Sequence, residues 1–551
     1  MWYRSTFSQA LVGAILLWAA LPPLDWWPLA WIAPAWWVAL ARREKLDGRH
    51  PYRALWLVGF LFWLAVLHFL RLPHWATSFG WIALAVYFAF YLPLFVGLTR
   101  VAAHRLQIPV ILAAPIVWTG LEFARGHLLT GTTMASLGHT QYRWVELIQI
   151  ADLLGAYGVS FVVMFAAACF ARMLPLNGKP AAAWPLVPAL AVVGAAVSYG
   201  HFRTADETAV PVARIALIQG SIDTEMKSDP HQRETVFRHY FGLSRDAVNA
   251  YGQVDLIVWP ETMFRDTLIT FEQDAPVPDH SQLSAEDFRK WLEDASWQSR
   301  RLMGLTAQVL GTPLILGVDT HHYGADGARR FNSAALVSRS GEVVDRYDKI
   351  HLMLFGEYVP FARYLPWLHR LTPLHSSLSA GTDPAAFDVA GLRLAPNICY
   401  ESVMPHVIRR QVNVLGKQGR EPDVLVNLTN DGWFWGSSEL DLHLMCGVFR
   451  AVECRKPLLI AANTGFSAWI DADGRIHKQG PRRATGTILA EVAPDHRTSF
   501  YLRYGDWPAG ACLAACALLA AVGYNAARGA SRQASRKNST GSIPHENNTH
   551  A

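Results

Sequence analysis

Eight apolar stretches limit what this chain can fold into. They cover residues 7–23, 26–41, 54–70, 79–98, 108–124, 157–174, 184–200 and 508–526. About 20 apolar residues in a helix are enough to cross a bilayer, and only 17% of all residues are charged. The sequence therefore predicts a multi-span α-helical membrane protein with a long polar segment between its seventh and eighth spans.

Two of these stretches allow a second interpretation. The first, which follows Arg4, is short enough to be the apolar part of a signal peptide, although further spans follow it directly. The second contains Pro28 and Pro34 and could be re-entrant, because proline interrupts the hydrogen bonding of a helix.

The loops between the stretches differ in positive charge. Lysine and arginine cluster after the second, fourth, sixth and eighth stretches, and the longest cluster runs from Arg42 to Arg53. Cytoplasmic loops are enriched in these residues, so both termini are expected in the cytoplasm. These loops account for much of the net charge of +5, which therefore does not indicate nucleic-acid binding.

Span positions and loop charge together predict four segments. Residues 1–200 are expected to form a membrane domain with seven transmembrane helices, and residues 201–507 a domain on the periplasmic side. Residues 508–527 are expected to form the eighth transmembrane helix, followed by a polar cytoplasmic tail over residues 528–551 that is disordered. The protein would thus be a multi-pass protein of the cell inner membrane.

Strands and helices alternate within the segment 201–507. The strands are expected at Ala213–Gln219, Val254–Val258 and Leu314–Val318, and the helices at 230–250 and Phe288–Leu310. Turn signals at Ser340–Glu342 and Asp471–Gly474 predict hairpins. Alternation of this kind favours an α/β sandwich of mixed sheets covered by helices.

Three polar residues stand beside short apolar runs of this segment. Glu261 ends the run Val-Trp-Pro-Glu, Lys349 lies in Arg-Tyr-Asp-Lys-Ile, and Cys399 lies in Pro-Asn-Ile-Cys-Tyr-Glu. A sheet could bring the three side chains to one edge, where a carboxylate would take the thiol proton and an ammonium would stabilise an oxyanion. A cysteine alone in such a run is more often a small buried residue, but the glutamate and lysine favour a nucleophile.

These runs, in this order, resemble the Glu-Lys-Cys triad of the nitrilase (carbon-nitrogen hydrolase) superfamily over about residues 212–495. The resemblance implies a four-layer αββα sandwich, which periodicity alone does not give. With the membrane spans added, nearly the whole chain is similar to the apolipoprotein N-acyltransferase family. Members of that family transfer an acyl chain from a phospholipid to the α-amine of the N-terminal cysteine of a diacylglyceryl apolipoprotein.

The resemblance implies roles for three further residues of the catalytic site. Glu357 occupies the place of the family's second essential glutamate, where it would orient Lys349 or relay a proton; a solvated loop glutamate is the alternative. Tyr400 and Glu401 follow the nucleophile as the family pattern requires. The backbone N–H of Tyr400 is then expected to donate to the oxyanion beside Lys349.

Two tryptophans, and one difference from the family pattern, concern substrate binding. Trp433 and Trp435 lie in or beside the family's Asn-Asp-x-Trp-Phe segment and either line the acyl entrance or pack as ordinary aromatic residues. Ser228 stands where the family usually has a tryptophan near Lys227, so any acyl contact of that tryptophan is weaker here or is made by another residue. The loop 125–156 is expected either at the bilayer surface or packed on the catalytic domain.

The sequence predicts neither a metal nor another cofactor. Cysteine and histidine residues lack zinc spacing, and no phosphate-binding glycine motif stands between a strand and a helix. Cys446 and Cys454 lie eight residues apart on a predicted helix, too far along its axis for a disulfide bond.

The resemblance therefore implies a ping-pong acyltransferase with a thioester intermediate on Cys399. Its expected partners are a phospholipid donor and a diacylglyceryl apolipoprotein acceptor, without nucleic acid, and we expect a monomer. A membrane-tethered amidase or nitrilase would use the same triad, but eight spans exceed what tethering requires. A catalytically inactive lipid-binding or transport protein is disfavoured because all three triad residues are present.

Overall fold

The structure of the protein is a computed structural model that describes residues 5–175, 180–204, 210–278, 281–360, 364, 367 and 377–540. The side chains of Ser228 and of residues 530–540 lie outside this description. Residues 541–551, the end of the predicted tail, also lie outside it.

Up to residue 204 the described chain is helical. Its α-helices are α1 Thr6–Ala19, α2 Ala33–Arg42, α3 Pro51–Val66, α4 Thr77–Ala89, α5 Tyr91–Arg105, α6 Val110–His127, α7 Val145–Ile148, α8 Ala151–Leu154, α9 Ala156–Met173 and α10 Leu186–Thr204. Each of the seven apolar stretches predicted in this region overlaps at least one of these helices. We refer to residues 5–204 as the helical region.

Among the residues that the structure describes, four segments are long and apolar enough to cross a bilayer: Thr77–Arg105, Ala156–Met173, Leu186–Thr204 and Trp507–Gly529. The helices α1 and α3 are apolar but shorter. The second predicted stretch is interrupted, because a 3₁₀ turn at Trp27–Trp31 precedes α2. At 1.5 Å per residue, α2 is about 15 Å long, half the thickness of a bilayer core. The number of spans and the re-entrant alternative therefore stay predictions.

The described residues from 210 onwards form a sandwich and a final helix. Its strands are β1 Ala213–Gln219, β2 Leu256–Val258, β3 Leu268–Phe271, β4 Leu314–Gly324, β5 Gly327–Val337, β6 Val343–Asp348, β7 Phe387–Val389, β8 Leu392–Ile398, β9 Val424–Thr429, β10 Leu458–Ala462, β11 Ala468–Ile470, β12 Ile476–Gln479 and β13 Gly486–Val492. Its α-helices are α11 Thr224–Ser228, α12 Arg233–Tyr251, α13 Ala285–Leu310, α14 Pro405–Lys417, α15 Glu439–Cys454, α16 Phe500–Tyr504 and α17 Trp507–Thr540. Helix α17 contains the predicted span 508–526 and continues to Thr540. The prediction of disorder was therefore wrong for residues 528–540, where alanine and arginine residues favour helix.

The strands form two mixed sheets that pack face to face. The order is β13-β1-β2-β4-β5-β6 in the first sheet, with β3 beside β4, and β12-β11-β10-β9-β8-β7 in the second. Apolar side chains such as Leu217 on β1, Val426 on β9 and Leu459 on β10 fill the space between the sheets. Helices α12 and α13 cover the outer face of the first sheet, and α14 and α15 cover the second. The expected αββα sandwich is thus confirmed, as are both hairpins.

The helical region packs directly on the second layer of helices. Leu147 and Ile148 are fully buried in a cluster with Val448 and Val452 of α15. Of the two alternatives for the loop 125–156, these two residues therefore support packing on the catalytic domain.

Buried ion pairs join the same two parts of the molecule. The Asp152 Oδ2 atom of α8 lies 2.6 Å from Arg455 Nη2 and 2.7 Å from Arg203 Nε. Arg455, just after α15, is completely buried and also contacts Asp473 at 3.0 Å. A buried guanidinium needs such partners, so the interface fixes these side chains in one arrangement.

Candidate active site

Strand directions bring Glu261 and Lys349 to one edge of the first sheet. β2 and β4 are parallel, and two antiparallel pairings give β6 the same direction. Lys349 immediately follows β6 and Glu261 lies three residues after β2. The Lys349 Nζ atom is 3.7 Å from Glu261 Oε1, and both residues are buried, with exposed fractions of 1% and 8%.

Gly317 allows the Glu261 segment to approach β4. A Cβ atom at this position would lie 2.0 Å from the Pro260 carbonyl oxygen and 2.7 Å from Glu261 Cα. Any larger residue would have to displace the backbone that carries Glu261. A glycine in a strand interior therefore has a direct structural reason here.

Lys349 lies between two carboxylates. Its ammonium donates to Glu357 Oε1 at 2.7 Å, while Glu357 Oε2 accepts from the Met353 backbone N–H at 2.9 Å. The Asn332 amide bridges the two acids, donating to Glu261 Oε1 at 2.6 Å and to Glu357 Oε1 at 3.3 Å. The solvated-loop alternative for Glu357 is therefore excluded in this structure.

Burial and neighbouring charges together set the protonation of Glu261, Lys349 and Cys399. Burial has the largest effect on each pKa. It raises the pKa of Glu261 above its ordinary value, although Lys349 opposes the shift. Burial and then the Glu261 charge raise the pKa of the Cys399 thiol well above its usual range, so the thiol is protonated at rest. Burial lowers the pKa of Lys349, but Glu357 and Glu261 outweigh it and raise that pKa. The group thus contains a cation, a protonated thiol and a carboxylate of raised basicity.

Cys399 begins a short 3₁₀ turn directly after β8. Its φ of +51° lies in the left-handed region, which is unfavourable for a residue other than glycine. We call residues 399–403 the nucleophile turn. The Cys399 carbonyl oxygen accepts from Asn427 Nδ2 at 3.1 Å and lies 3.2 Å from His443 Nε2.

Glu401 joins the nucleophile turn to residues 347–351, which we call the lysine segment. One carboxylate oxygen accepts the Ile398 N–H at 2.7 Å, and the other accepts the N–H groups of Ile350 and His351 at 2.9 Å each. The Tyr347 hydroxyl also donates to it at 2.8 Å. Glu401 is fully buried, so it connects the two sheets at the site and does not face an open cavity.

The remaining predicted residues lie around this centre. The Tyr400 hydroxyl donates to the Gly131 carbonyl at 2.8 Å. Trp433 is half-buried, and Trp435 is 46% exposed with Arg483 over its ring at 5.3 Å. An acyl-lining role of the two tryptophans stays a prediction, and the side chain of Ser228 lies outside the described residues.

Among the described residues, Asp431, Glu439 and His443 form a buried group that could hold a metal ion, with their nearest ligand atoms within 4.8 Å of one another. His443 Nδ1 already lies 3.1 Å from Asp431 Oδ1, which also accepts from Thr429 Oγ1 at 2.8 Å. Although burial opposes the charged imidazole, Asp431 raises the pKa of His443. The ligand atoms of His443 and Asp431 thus already have protein partners.

Sequence analysis missed three site residues: Asn332, Asn430 and His443. The Asn430 backbone N–H donates to Glu261 Oε2 at 3.0 Å. Asn332 interrupts the buried half of β5, and a polar residue at such a position indicates a specific partner. His443 gave a weaker signal, because a histidine within an apolar helix is compatible with ordinary packing.

A cysteine beside a buried glutamate and lysine, on an αββα sandwich, is the arrangement of a carbon-nitrogen hydrolase domain, and the family model described as Carbon-nitrogen hydrolase matches residues 214–500. The model described as Apolipoprotein N-acyltransferase N-terminal domain matches residues 13–169. The chain belongs to the apolipoprotein N-acyltransferase family: it is a membrane protein and an acyltransferase of lipoprotein maturation.

Two relatives of similar length agree with this assignment. The apolipoprotein N-acyltransferase of Geobacter metallireducens is 34% identical over 95% of this chain and 96% of its own. That of Rhodopirellula baltica is 34% identical over 93% and 95%. A solved amidase of the nitrilase superfamily, from Nesterenkonia AN1, is 18% identical over 53% of this chain and 94% of its own, with a TM-score of 0.35.

Proposed function

We propose that this enzyme transfers an acyl chain from a phospholipid, through a thioester on Cys399, to the N-terminal cysteine amine of a diacylglyceryl apolipoprotein. The observation that carries the proposal is Lys349, buried between Glu261 and Glu357 beside the Cys399 thiol. A base, a cation and a nucleophile in one water-poor site are what acyl transfer through a covalent intermediate requires.

In the first half-reaction, Glu261 accepts the proton of Cys399 Sγ and the sulfur attacks the ester carbonyl. Lys349 and the Tyr400 N–H stabilise the tetrahedral oxyanion. When the C–O bond breaks, the departing alkoxide takes the proton from Glu261 and leaves as lysophospholipid. The raised pKa of Glu261 favours the first of these proton transfers, because a base of raised pKa accepts a thiol proton more readily.

In the second half-reaction, the acceptor amine attacks the thioester. Glu261 takes a proton from the attacking nitrogen, the C–S bond breaks, and the thiolate leaves and recovers that proton. An amide and free Cys399 result. A thioester is reactive enough toward an amine that no nucleotide is consumed. Glu357 supports Lys349 in both steps, and Glu401 holds the nucleophile turn against the lysine segment.

We also propose that the catalytic domain, residues 201–507, lies on the periplasmic side, preceded by seven spans and followed by one. Loop charge supports this orientation. Both substrates carry long acyl chains, and exposing each methylene to water would cost about 0.8 kcal/mol. The site must therefore receive them at the bilayer surface, which is consistent with a catalytic domain packed on the helical region.

Mass spectrometry of the purified enzyme tests the proposal. With phospholipid alone, the enzyme should release about one equivalent of lysophospholipid in a burst and carry one acyl adduct on Cys399. A diacylated lipopeptide should then remove the adduct and become N-acylated. Steady release of fatty acid without the peptide, at the full turnover rate, would instead identify water as the acceptor and support the amidase alternative.

A further inference from the structure

The nucleophile turn is held by the helical region as well as by its own domain. The Tyr400 hydroxyl donates to the Gly131 carbonyl at 2.8 Å, and the Thr133 hydroxyl donates to the Val403 carbonyl at 2.5 Å. Thr133 and Val403 are buried, with exposed fractions of 2% and 0%. Two hydrogen bonds therefore cross from the helical region to a turn that carries the reactive thiol.

The segment that makes these contacts is itself fixed. Arg125 of α6 donates to the Met134 carbonyl at 2.8 Å and to Ser136 Oγ at 2.9 Å. The Ser136 hydroxyl in turn donates to the Thr133 carbonyl at 2.6 Å. Arg125 is 3% exposed, so water does not compete for these bonds. We call residues 131–136 the bracing segment.

Gly131 restricts the segment further. Its φ is +78°, and a Cβ atom would lie 2.1 Å from the Gly126 carbonyl oxygen and 2.9 Å from Met404 Cε. The segment thus passes between α6 and the end of the nucleophile turn at a distance that only glycine permits. A backbone held this closely on both sides has little freedom to move relative to Tyr400.

The nucleophile turn needs such support. Cys399 has a left-handed backbone, and conformations of this kind persist only where the surroundings determine them. Asn427 and Glu401 hold the beginning of the turn from the sandwich. The Val403 carbonyl oxygen, in the later part of the turn, accepts from Arg450 of α15 at 3.4 Å and from Thr133 of the bracing segment at the shorter distance of 2.5 Å. The Tyr400 hydroxyl is held by the bracing segment.

We propose that Thr133 and Gly131 are positioning residues that hold the Tyr400 N–H toward the oxyanion. This inference rests on the proposed function, in which that N–H stabilises the tetrahedral intermediate. Displacing the turn weakens this hydrogen bond without removing Cys399, Lys349 or Glu261. Acyl transfer in this enzyme therefore depends on the helical region for its chemistry, in addition to lipid binding.

The test uses the full-length enzyme in detergent, a short-chain water-soluble p-nitrophenyl ester, and iodoacetamide. The ester forms an acyl-enzyme through an oxyanion, whereas alkylation by iodoacetamide has none. Thr133→Val should slow the ester burst about tenfold, less than the 10²–10³ that follows outright removal of an oxyanion donor. Alkylation of Cys399 should stay within about twofold of the original rate, and Thr133→Ser should restore the burst.

A second variant and a control separate positioning from folding. Tyr400→Phe removes only the hydroxyl that bonds Gly131 and should slow the burst similarly, even if Thr133→Val does not fold. Thr119→Val is the matched control, because this buried threonine on α6 has a hydroxyl without a hydrogen-bond partner in the described structure. It should leave burst and alkylation unchanged.

Three results would overturn the inference. A normal ester burst with slow phospholipid turnover would assign the segment to lipid entry. Equal losses in burst and alkylation would assign it to thiol reactivity. Normal rates in both variants would leave the segment without a role in the chemistry. If the unsubstituted enzyme forms no acyl adduct at all, the proposed function fails first, and that result is distinct from these three.

Discussion

The helical region and the sandwich differ in how they form an apolar core. Helices of the first expose large apolar side chains, including Phe79 at 64% and Val187 at 70%, whereas the apolar core of the sandwich lies between two sheets. Two buried charges of the helical region have polar partners. Arg125 bonds the bracing segment, and Asp152 bonds Arg455 of the catalytic domain. The outward face of the helices is thus suited to lipid, and their polar groups serve the catalytic domain.

The largest effect should follow from removing the proposed nucleophile, Cys399. This change affects the chemistry of the sandwich and leaves the helical region unchanged. Cys399→Ser should lower lipoprotein N-acylation at least about a thousandfold, as loss of a catalytic nucleophile does. Mass spectrometry of a lipopeptide product measures it. Cys446→Ser and Cys454→Ser, at buried positions of α15, should retain activity. Normal acylation by the Cys399 variant would refute the mechanism.

Reporter fusions test on which side of the membrane each part lies. Alkaline phosphatase fused near residue 205 should be active, and the same enzyme fused after residue 530 should be inactive, because it folds only outside the cytoplasm. The expected signals differ in an all-or-none manner. The reverse pattern would put the triad in the cytoplasm and remove the lipoprotein substrate from consideration.

A smaller effect is expected where the sandwich stabilises its own cation. Glu357→Ala should slow acyl-enzyme formation on the order of a hundredfold, since Lys349 loses its 2.7 Å partner. Rapid-quench measurement of the lysophospholipid burst reports this step. Glu421→Ala, which removes a half-exposed partner of Lys456, serves as control. Loss of only the discharge step would instead place Glu357 at the acceptor amine.

The smallest effect concerns the ion pairs that join the two regions. Arg455→Met leaves Asp152 and Asp473 with fewer partners in a buried interface, and should lower stability by about 3 kcal/mol. Thermal unfolding in detergent measures the change. Arg238→Met breaks an exposed pair with Glu234 and should change stability by less than about 1 kcal/mol. Equal losses of stability in both variants would show that the buried interface pair contributes no more to stability than the exposed pair.

Local patterns explain which parts of the fold could be predicted. The predicted strand Ala213–Gln219 and the two hairpins follow from short-range alternation and turn residues, and the structure contains them. β13, by contrast, was not predicted; it pairs with β1 from the far end of the domain. Apolar stretches predicted helices well but not their interruption at residue 90, since periodicity does not show where a helix bends.

The site was predictable only in part for the same reason. Glu261, Lys349 and Cys399 each stand beside a recognisable apolar run, and the family resemblance already gave Lys349 as a partner of Glu357, a contact that the structure contains. Asn332 reaches two acids that lie 71 and 25 residues away in sequence. Such pairings depend on how the sheets are assembled, and no local pattern records them.

The left-handed backbone of Cys399 sets function against stability. At φ of +51° an ordinary side chain costs about 1–2 kcal/mol, and glycine avoids that cost. A chain selected only to remain folded would therefore favour glycine at this position and would lose its enzymatic activity. Laboratory evolution for heat resistance without a catalytic screen should accumulate inactivating changes at residue 399 early, so thermostable descendants of this enzyme need selection for lipoprotein maturation at every round.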